Sequence, residues 1–368
     1  MLNSINYAKK IFYFIILFCT TLTAEDIKPT MNQKSKKHVV VAMPFRPNMP
    51  LDPHWYTAEY VQYIANLLPS EKYTVSGYFV SLENISEFLN DMKILYEKEK
   101  DVCVFNVCDG GEWDGYPGVS VLVQWEKHPV NGLIPITGAD AEFIWNSDDK
   151  TKMTAFLKEN NLKTFPQILL NSKMIEKTDF DQLLEKDPLN QEWPLFCKLN
   201  VGAGALGIGP ESICHNVEEL AAQVQKVHKA FPNSDIIIQP YLPGPEYTVL
   251  VLKDRIYVAV RRDFHNPYNL MLEDYLTGIN KPEDEITYLC TPQDVQNLAL
   301  KAIQAIPGKH HYTRVDLRSD AKGNTYVLDI NDRPGFGTPS TVKCMLDFHH
   351  LNEGQLLQDI LEENGYKN

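Results

Sequence analysis

A chain of 368 residues is long enough for two or three domains, each with a substantial core. Its 44% hydrophobic and 23% charged residues are the proportions of an ordinary globular protein. A net charge of −13 argues against a general nucleic-acid binder, because a phosphate backbone calls for a clustered basic surface, yet a nucleotide site needs only a few local cations.

Lys9-Lys10 precede the apolar run Ile11–Cys19, and Thr20-Thr21-Leu22-Thr23-Ala24 follows, the pattern of a secretory signal peptide. The run is shorter than the roughly 20 apolar residues a transmembrane helix needs. Residues 25–37 read as a linker, and Met31 as an alternative start. Two localisations stay open: a secreted or membrane-associated protein with no stable membrane span after processing, or a cytoplasmic one starting at Met31. The seven cysteines show no CxxC or Cys/His ligand spacing, which disfavours zinc. Cys103 and Cys197 sit in apolar runs where a free thiol acts as a small hydrophobe. Reduced thiols fit poorly with secretion.

From Lys37 the pattern alternates. Strands are expected at 38–43, 73–80 and 101–107, helices at Trp55–Leu68, Ile85–Glu97 and Val119–Glu126, and a further strand just before the Pro135–Gly138 turn. Such alternation predicts an open parallel sheet, with ligands beyond the carboxyl ends of its strands, where the loop Cys108–Gly118 lies. A second unit starts near Asn146, with Ser147 as the N-cap of a helix burying Met153, Phe156 and Leu157. A strand, glycine loop and second strand span 193–214. Asn216-Val217-Glu218-Glu219 then opens a helix with Val217, Leu220, Ala221, Val224 and Val227 inward. Strands at 236–242, 247–252 and 256–260 precede a hairpin at 313–335, and Asn352–Glu363 is a closing helix. The domain scheme is 1–36 leader and linker, 37–145 N-terminal α/β domain, 146–238 small subdomain and 239–368 large subdomain.

Three segments carry chemistry. WPLFCKLNVGAGALGIG (193–209) ends an apolar strand in Lys198 and continues through Gly202, Gly204, Gly207 and Gly209, where backbone N–H groups can approach phosphate oxygens. It is neither a Walker A nor a GxGxxG sequence, and a plain turn reads as well. IIIQPYLPGPEYTVLVL (236–252) suits an adenine beside Gln239 and a ribose at Glu246, or an ordinary hairpin. In TRVDLRSDAKGNTYVLDINDRPG (313–335), strands flank a polar turn. Strict alternation puts Tyr326, Leu328 and Ile330 on one face, and Val327, Asp329 and Asn331 on the other. A register centred between Lys322 and Gly323 sets Asp316 opposite Asp329. At about 5 Å and a dielectric near 20 these acids repel by roughly 3 kcal/mol. They are therefore either solvated and neutralised by Arg314 and Arg318, or they hold a hard cation such as Mg²⁺.

Taken in order, DGGEWDG (109–115), PITG (135–138), DDK (148–150), LFCKLN (195–200), the glycine loop, QPYLPGPEYTV (239–249) and the TRVDLR…VLDINDRPGFGTPS hairpin resemble the ATP-grasp superfamily, D-alanine–D-alanine ligase-like branch, from about Lys37 to the C-terminus. The resemblance implies an α/β (α+β) ATP-grasp fold behind an N-terminal open parallel α/β domain. It implies an enzyme that joins a carboxylate to an amine through an acylphosphate, using ATP and Mg²⁺ (or Mn²⁺), with amino-acid or peptide-like substrates and a homodimeric tendency. It assigns Lys150 and Lys198 to ATP phosphates, Gln239, Tyr241 and Leu242 to adenine and Glu246 to ribose, with Gly204 and Leu328 also in the ATP site. Asp316, Asp329 and Asn331 become metal ligands, Arg314 an oxyanion stabiliser, and Gly335 with Ser340 the lining of the acceptor pocket.

The departures are as specific. The family's Gly-Gly-x-Ser-x-Glu segment, which anchors the first amino acid's amine, is replaced by VVVAMPFRPNMP (39–50). The phosphate loop lacks its serines, the HG of the first-domain loop becomes Cys108-Asp109-Gly110, Asp274 stands for a lysine before Tyr275, and Asp329 replaces a metal glutamate. The substrate pocket is therefore expected to be altered, with His54, Trp55, Trp113 and Tyr116 as candidates for lining it or as core aromatics. The alternative function is a catalytically weakened ATP-binding protein with a sensing or scaffolding role.

Overall fold

The computed structural model describes residues 36–45, 56–109, 117–185, 189, 192–202, 206–264, 286–337 and 340–363. The leader, His54, Trp55, Trp113, Tyr116, Gly204, Asp274 and Tyr275 lie outside the described residues.

The first sheet contains β1 (Lys37–Pro44), β2 (Tyr73–Val80) and β3 (Val102–Asn106) in the order β2-β1-β3, all parallel as the alternating pattern requires. Both of its faces are covered, which is why β1 and β3 read as continuous apolar runs. Val40, Ala42 and Val104 pack toward α2 (Ile85–Glu99) and α3 (Pro117–Lys127), and Val39, Val41 and Phe105 toward α1 (Ala58–Leu67). The strand expected before Pro135 is absent: residues Pro129–Gly132 form a 3-10 turn, and only Ile136 bridges to Val104. A proline at the first position of that turn has a φ that suits helical backbone and no N–H to give to a strand ladder.

Two short helices follow, α4 (Ala141–Ser147) and α5 (Lys150–Glu159). Ser147 is the last residue of α4, not the N-cap of α5. That cap is Asp149, whose carboxylate accepts from the N–H groups of Thr151 and Lys152; against the upward pull of partial burial, hydrogen bonds from the Thr151 hydroxyl, the Lys152 N–H and the Asn200 side chain hold it below the usual carboxylate range. Met153 and Leu157 are buried as expected, and Phe156 only partly.

The second sheet has the order β4-β7-β5-β6, from β4 (Ile168–Leu170), β5 (Leu195–Leu199), β6 (Ile213–Cys214) and β7 (Ile236–Pro240). α6 (Phe180–Glu185) and α7 (Val217–Ala230) share its core. Asn216 caps α7 through the Glu219 N–H, and Leu220, Val224 and Val227 turn inward.

The third sheet has the order β10-β9-β8-β11-β12. Its strands are β8 (Glu246–Leu252), β9 (Arg255–Phe264), β10 (Ile286–Cys290), β11 (Tyr312–Ser319) and β12 (Thr325–Asn331), every pair antiparallel. One face carries Tyr247, Val249, Val315, Leu317, Val327 and Ile330 against α8 (Gln293–Ala305). Toward its far edge the other face packs Leu250, Val258 and Val260 against α9 (Thr341–Phe348) and α10 (Glu353–Glu362). Both cores continue into the first sheet, so the two sheets share their apolar interior. Among the described residues no helix is long and apolar enough to cross a membrane.

Candidate active site

The chemistry gathers on the second face of the five-stranded sheet, where strand pairing lays polar residues out in rows. Arg262, Glu246 and Arg318 are direct neighbours across β9, β8 and β11. One row along, Thr248, Asp316 and Asp329 are neighbours across β8, β11 and β12, and next to them Arg314 faces Asn331. The opposition of Asp316 and Asp329 expected from the hairpin is present.

The face assignment of the hairpin was incomplete, however. Near the turn, Ser319 pairs with Thr325 and Leu317 with Val327, which continued regularly would put Leu328 opposite Asp316. An irregularity there inserts Leu328 as an extra residue, and Asp329 takes the place instead. A β-bulge shifts alternation by one residue, so Val327 and Ile330 both enter the core while Leu328, Asp329 and Asn331 remain partly exposed. The signal was available in the sequence: two core-type residues, Val327 and Ile330, are three apart in a strand whose period is two.

Charges are balanced locally. Asp316 receives Arg314 Nη2 at 2.7 Å, Thr248 Oγ1 at 3.0 Å and Asn331 Nδ2 at 3.1 Å. Burial alone would raise its pKa, but the charges of Arg314 and Arg262 and the hydrogen bonds hold it below the ordinary value. Arg262 Nη2 donates both to Glu246 and, at 3.0 Å, to Thr248 Oγ1, so a chain of hydrogen bonds runs Glu246–Arg262–Thr248–Asp316.

The two lysines come from the second unit. The N-terminus of α5 is stapled to the end of β5: Lys150 N donates to Asn200 O, and Asn200 exchanges side-chain bonds with Asp149 and Thr151. This puts Lys150 Nζ 3.5 Å from Asp329 Oδ1 and 3.2 Å from Gly202 O. Lys198 Nζ donates to Leu328 O, the bulge carbonyl, at 3.4 Å. Burial, then the neighbouring Lys150, pull the Lys198 pKa down to about 8, against the opposing pull of Asp329, Asp316 and Glu246. Two ammonium groups, one on the Asp329 carboxylate and one on the Leu328 carbonyl, thus meet beside Gly202, an arrangement suited to phosphate oxygens.

Gln239 within β7 and Leu242 beyond it are buried, and Tyr241 stacks on Phe196 with ring centroids 6.3 Å apart. The Tyr241 N–H is already bound to Pro194 O at 2.9 Å, so this residue can offer a base its carbonyl but not its amide. Glu246 meets Arg262 and, at 3.7 Å, Arg318, and each carboxylate oxygen retains a lone pair for a hydroxyl. Arg318 also lies over the Tyr241 ring at 5.2 Å and donates to its hydroxyl. Ser340 caps α9 by accepting from Lys343 N, which leaves its hydroxyl proton free to donate, and a Cβ added at Gly335 would meet open space.

One buried ionic group was not anticipated. Arg333, just past the hairpin, lies 3.0 Å from Asp332 and 3.9 Å from Asp148. Burial, reinforced by Asp332, drives the Asp148 pKa well up despite the arginine. A Cβ at Gly118, in the first turn of α3, would meet Cys108 O at 2.4 Å and Arg333 Nη1 at 2.8 Å, so the close approach of α3 to the backbone after β3, beside Arg333, needs glycine. Sequence reading passed over Arg333 because nothing around it marks an arginine as buried.

Residues 156–362, more than half of the chain, match the family model described as D-ala D-ala ligase C-terminus. The chain belongs to the D-alanine–D-alanine ligase family. A D-alanine–D-alanine ligase of Ruthia magnifica is 26% identical over 282 residues, 73% of this chain and 84% of the relative. The fold matches the ATP complex of a Bacillus anthracis D-alanine–D-alanine ligase with a TM-score of 0.62 at 18% identity, covering 89% of this chain and 96% of that one. It also matches a D-Ala:D-Ser ligase of Enterococcus faecalis with a TM-score of 0.60 at 15% identity, covering 89% and 99%.

Proposed function

We propose that this protein is an ATP-dependent carboxylate–amine ligase that makes an amide bond between amino-acid-like substrates, through a pocket whose donor side differs from that of its relatives. The observation that carries the reading is the convergence of Lys150 and Lys198 on β12 beside the two adjacent rows that hold Asp316 with Asp329 and Arg314 with Asn331.

Adenine would lie against Gln239, Tyr241, Leu242 and Leu328, with ribose hydroxyls on Glu246. Lys150 and Lys198 would hold the phosphates, with the glycine loop supplying N–H groups. A carboxylate oxygen of the donor attacks the γ-phosphorus and ADP leaves, giving an acylphosphate. The second substrate's amine then attacks the acyl carbon, phosphate departs, and the amine proton is lost. Arg314 would stabilise the developing oxyanion beside Gly335, and the Ser340 hydroxyl would orient the amine-bearing substrate.

Asp316, Asp329 and Asn331 offer oxygen donors only, opposed across two strands, and that set fits Mg²⁺ or Mn²⁺. When bound, the ion would neutralise charge on the transferred phosphoryl group. Arg314 contacts Asp316 and Lys150 contacts Asp329, which aims the two carboxylates.

The test is phosphate release by the purified protein with Mg-ATP and a panel of amino-acid pairs, including D-alanine with D-alanine and with D-serine. Turnover dependent on one pair supports the reading. ATP binding without turnover on any pair would overturn it.

A further inference from the structure

Glu353 is a buried carboxylate at the start of α10, with no part in the chemistry described so far. Being in the first turn of a helix is a sufficient reason for an acid, yet this one does not serve the helix. Asn352 caps α10 through the Gln355 N–H, and the Glu353 carboxylate turns away to accept from Gly337 N at 2.8 Å and from the Tyr63 hydroxyl. Tyr63 belongs to α1, the helix that follows β1 of the first sheet. Glu353 therefore bridges the N-terminal helix, the C-terminal helix and the segment after the hairpin.

The fit at this junction is tight. Gly337 has φ +85, and a Cβ there would lie 3.2 Å from the Tyr63 ring. A Cβ at Gly354 would lie 2.4 Å from Leu67 O, so α10 presses directly on the end of α1. Gly337 in turn accepts from Ser340 N at 2.7 Å. A mechanical chain results: Tyr63 holds Glu353, Glu353 holds the Gly337 amide, and the Gly337 carbonyl holds Ser340. A buried carboxylate is costly unless its lone pairs are filled, and here two donors from separate elements fill them.

We propose that Glu353 is a positioning residue, which fixes Gly335–Gly337 and Ser340 in the geometry that receives the amine-bearing substrate and couples that geometry to helix α1. The kinetic half of this inference rests on the ligase reading; the structural half does not. Catalysis requires such groups to be held within a fraction of an ångström, and loops do so only when another shell supports them.

The experiment compares the full chain with Glu353→Ala, Glu353→Gln and Tyr63→Phe by two readouts. The first is amide hydrogen exchange at Gly337 in the ligand-free protein. It should accelerate about tenfold or more in Glu353→Ala, as expected for loss of one charge-assisted hydrogen bond, and much less in Glu353→Gln, which keeps an acceptor. The second is steady-state kinetics with D-alanine and Mg-ATP. The KM for D-alanine should rise about tenfold in Glu353→Ala and about threefold in Tyr63→Phe, with the KM for ATP unchanged. Should Glu353→Ala not fold, the same differences are read in Tyr63→Phe, which loses only one hydroxyl. Unchanged Gly337 exchange, or a fall in kcat with both KM values constant, would overturn the proposal. A wild-type protein with no turnover on any substrate pair would overturn the ligase reading while the exchange result still decides the positioning role.

Discussion

The two faces of the five-stranded sheet are made by the same strands and have opposite physics. Toward α8, Val249, Val315, Leu317, Val327 and Ile330 form a dry core in which any polar atom would be penalised. On the reverse, Glu246, Thr248, Arg262, Arg314, Asp316, Arg318, Asp329 and Asn331 crowd together, with Asp316 accepting from Arg314, Thr248 and Asn331 and Glu246 from Arg262. The first face stabilises the fold without needing particular atoms in particular places. The second requires placement, and the bulge at Leu328 is what delivers Asp329 to it. Stability and chemistry thus occupy separable sides of one backbone.

That separation can be broken experimentally. The largest effect is expected from Asp329→Ala or Asp316→Ala, with turnover lowered on the order of 10²–10³-fold or more while the melting temperature moves little for Asp329, the more exposed of the pair. Calorimetry with single-turnover assays checks both halves. On the other face, Leu317→Ala should cost about 2–5 kcal/mol in urea unfolding with turnover per folded molecule preserved, because it empties core volume away from the charged row. A proportional loss of turnover in the folded fraction would show that the faces are not independent. Thr248→Val keeps the shape but cuts the link between Arg262 and Asp316, and should lower turnover about tenfold, consistent with leaving two buried partners short of a bond.

The smallest expected effect is on pH. Lys198 titrates at about 8, below an unfolded lysine near 10.4, so between those values the unfolded chain binds more protons. Native stability should therefore climb as pH rises through that window, while affinity for ATP falls by up to about tenfold from pH 7 to 9 as the ammonium is lost. Isothermal titration with the nucleotide would show this, and Lys198→Met should flatten the profile. Leu317→Ala should leave the profile intact.

Much of this site was legible beforehand because short-range rules govern it. A register centred between Lys322 and Gly323 anticipated the opposition of Asp316 and Asp329, although the structure reaches it through the bulge at Leu328, and the family resemblance marked Lys198, at the end of an apolar run before glycines, as a candidate for phosphate. Ser147 was misread as a cap because two short helices meet there, and Asp149 competes successfully by reaching two N–H groups and Asn200 at once. The strand assigned before Pro135 failed because an apolar run does not by itself form a strand; only Ile136 found a partner edge. Helices α8 and α9 were passed over, and Arg333, Arg262 and Glu353 had no local sequence signal at all.

The sequence alone determined the alternating strands of the first sheet, the paired strands of the hairpin and the family resemblance, and it named the groups expected to suit phosphate, metal and oxyanion, since each depends on residue type and near-neighbour spacing. Tertiary structure decided which of those groups meet. The contact of Lys150 with Asp329, the hold of Lys198 on the bulge carbonyl, and the grip of Glu353 on both Tyr63 and Gly337 each join residues far apart in the chain. No local pattern encodes such contacts, because they arise from sheets and helices packing over shared cores.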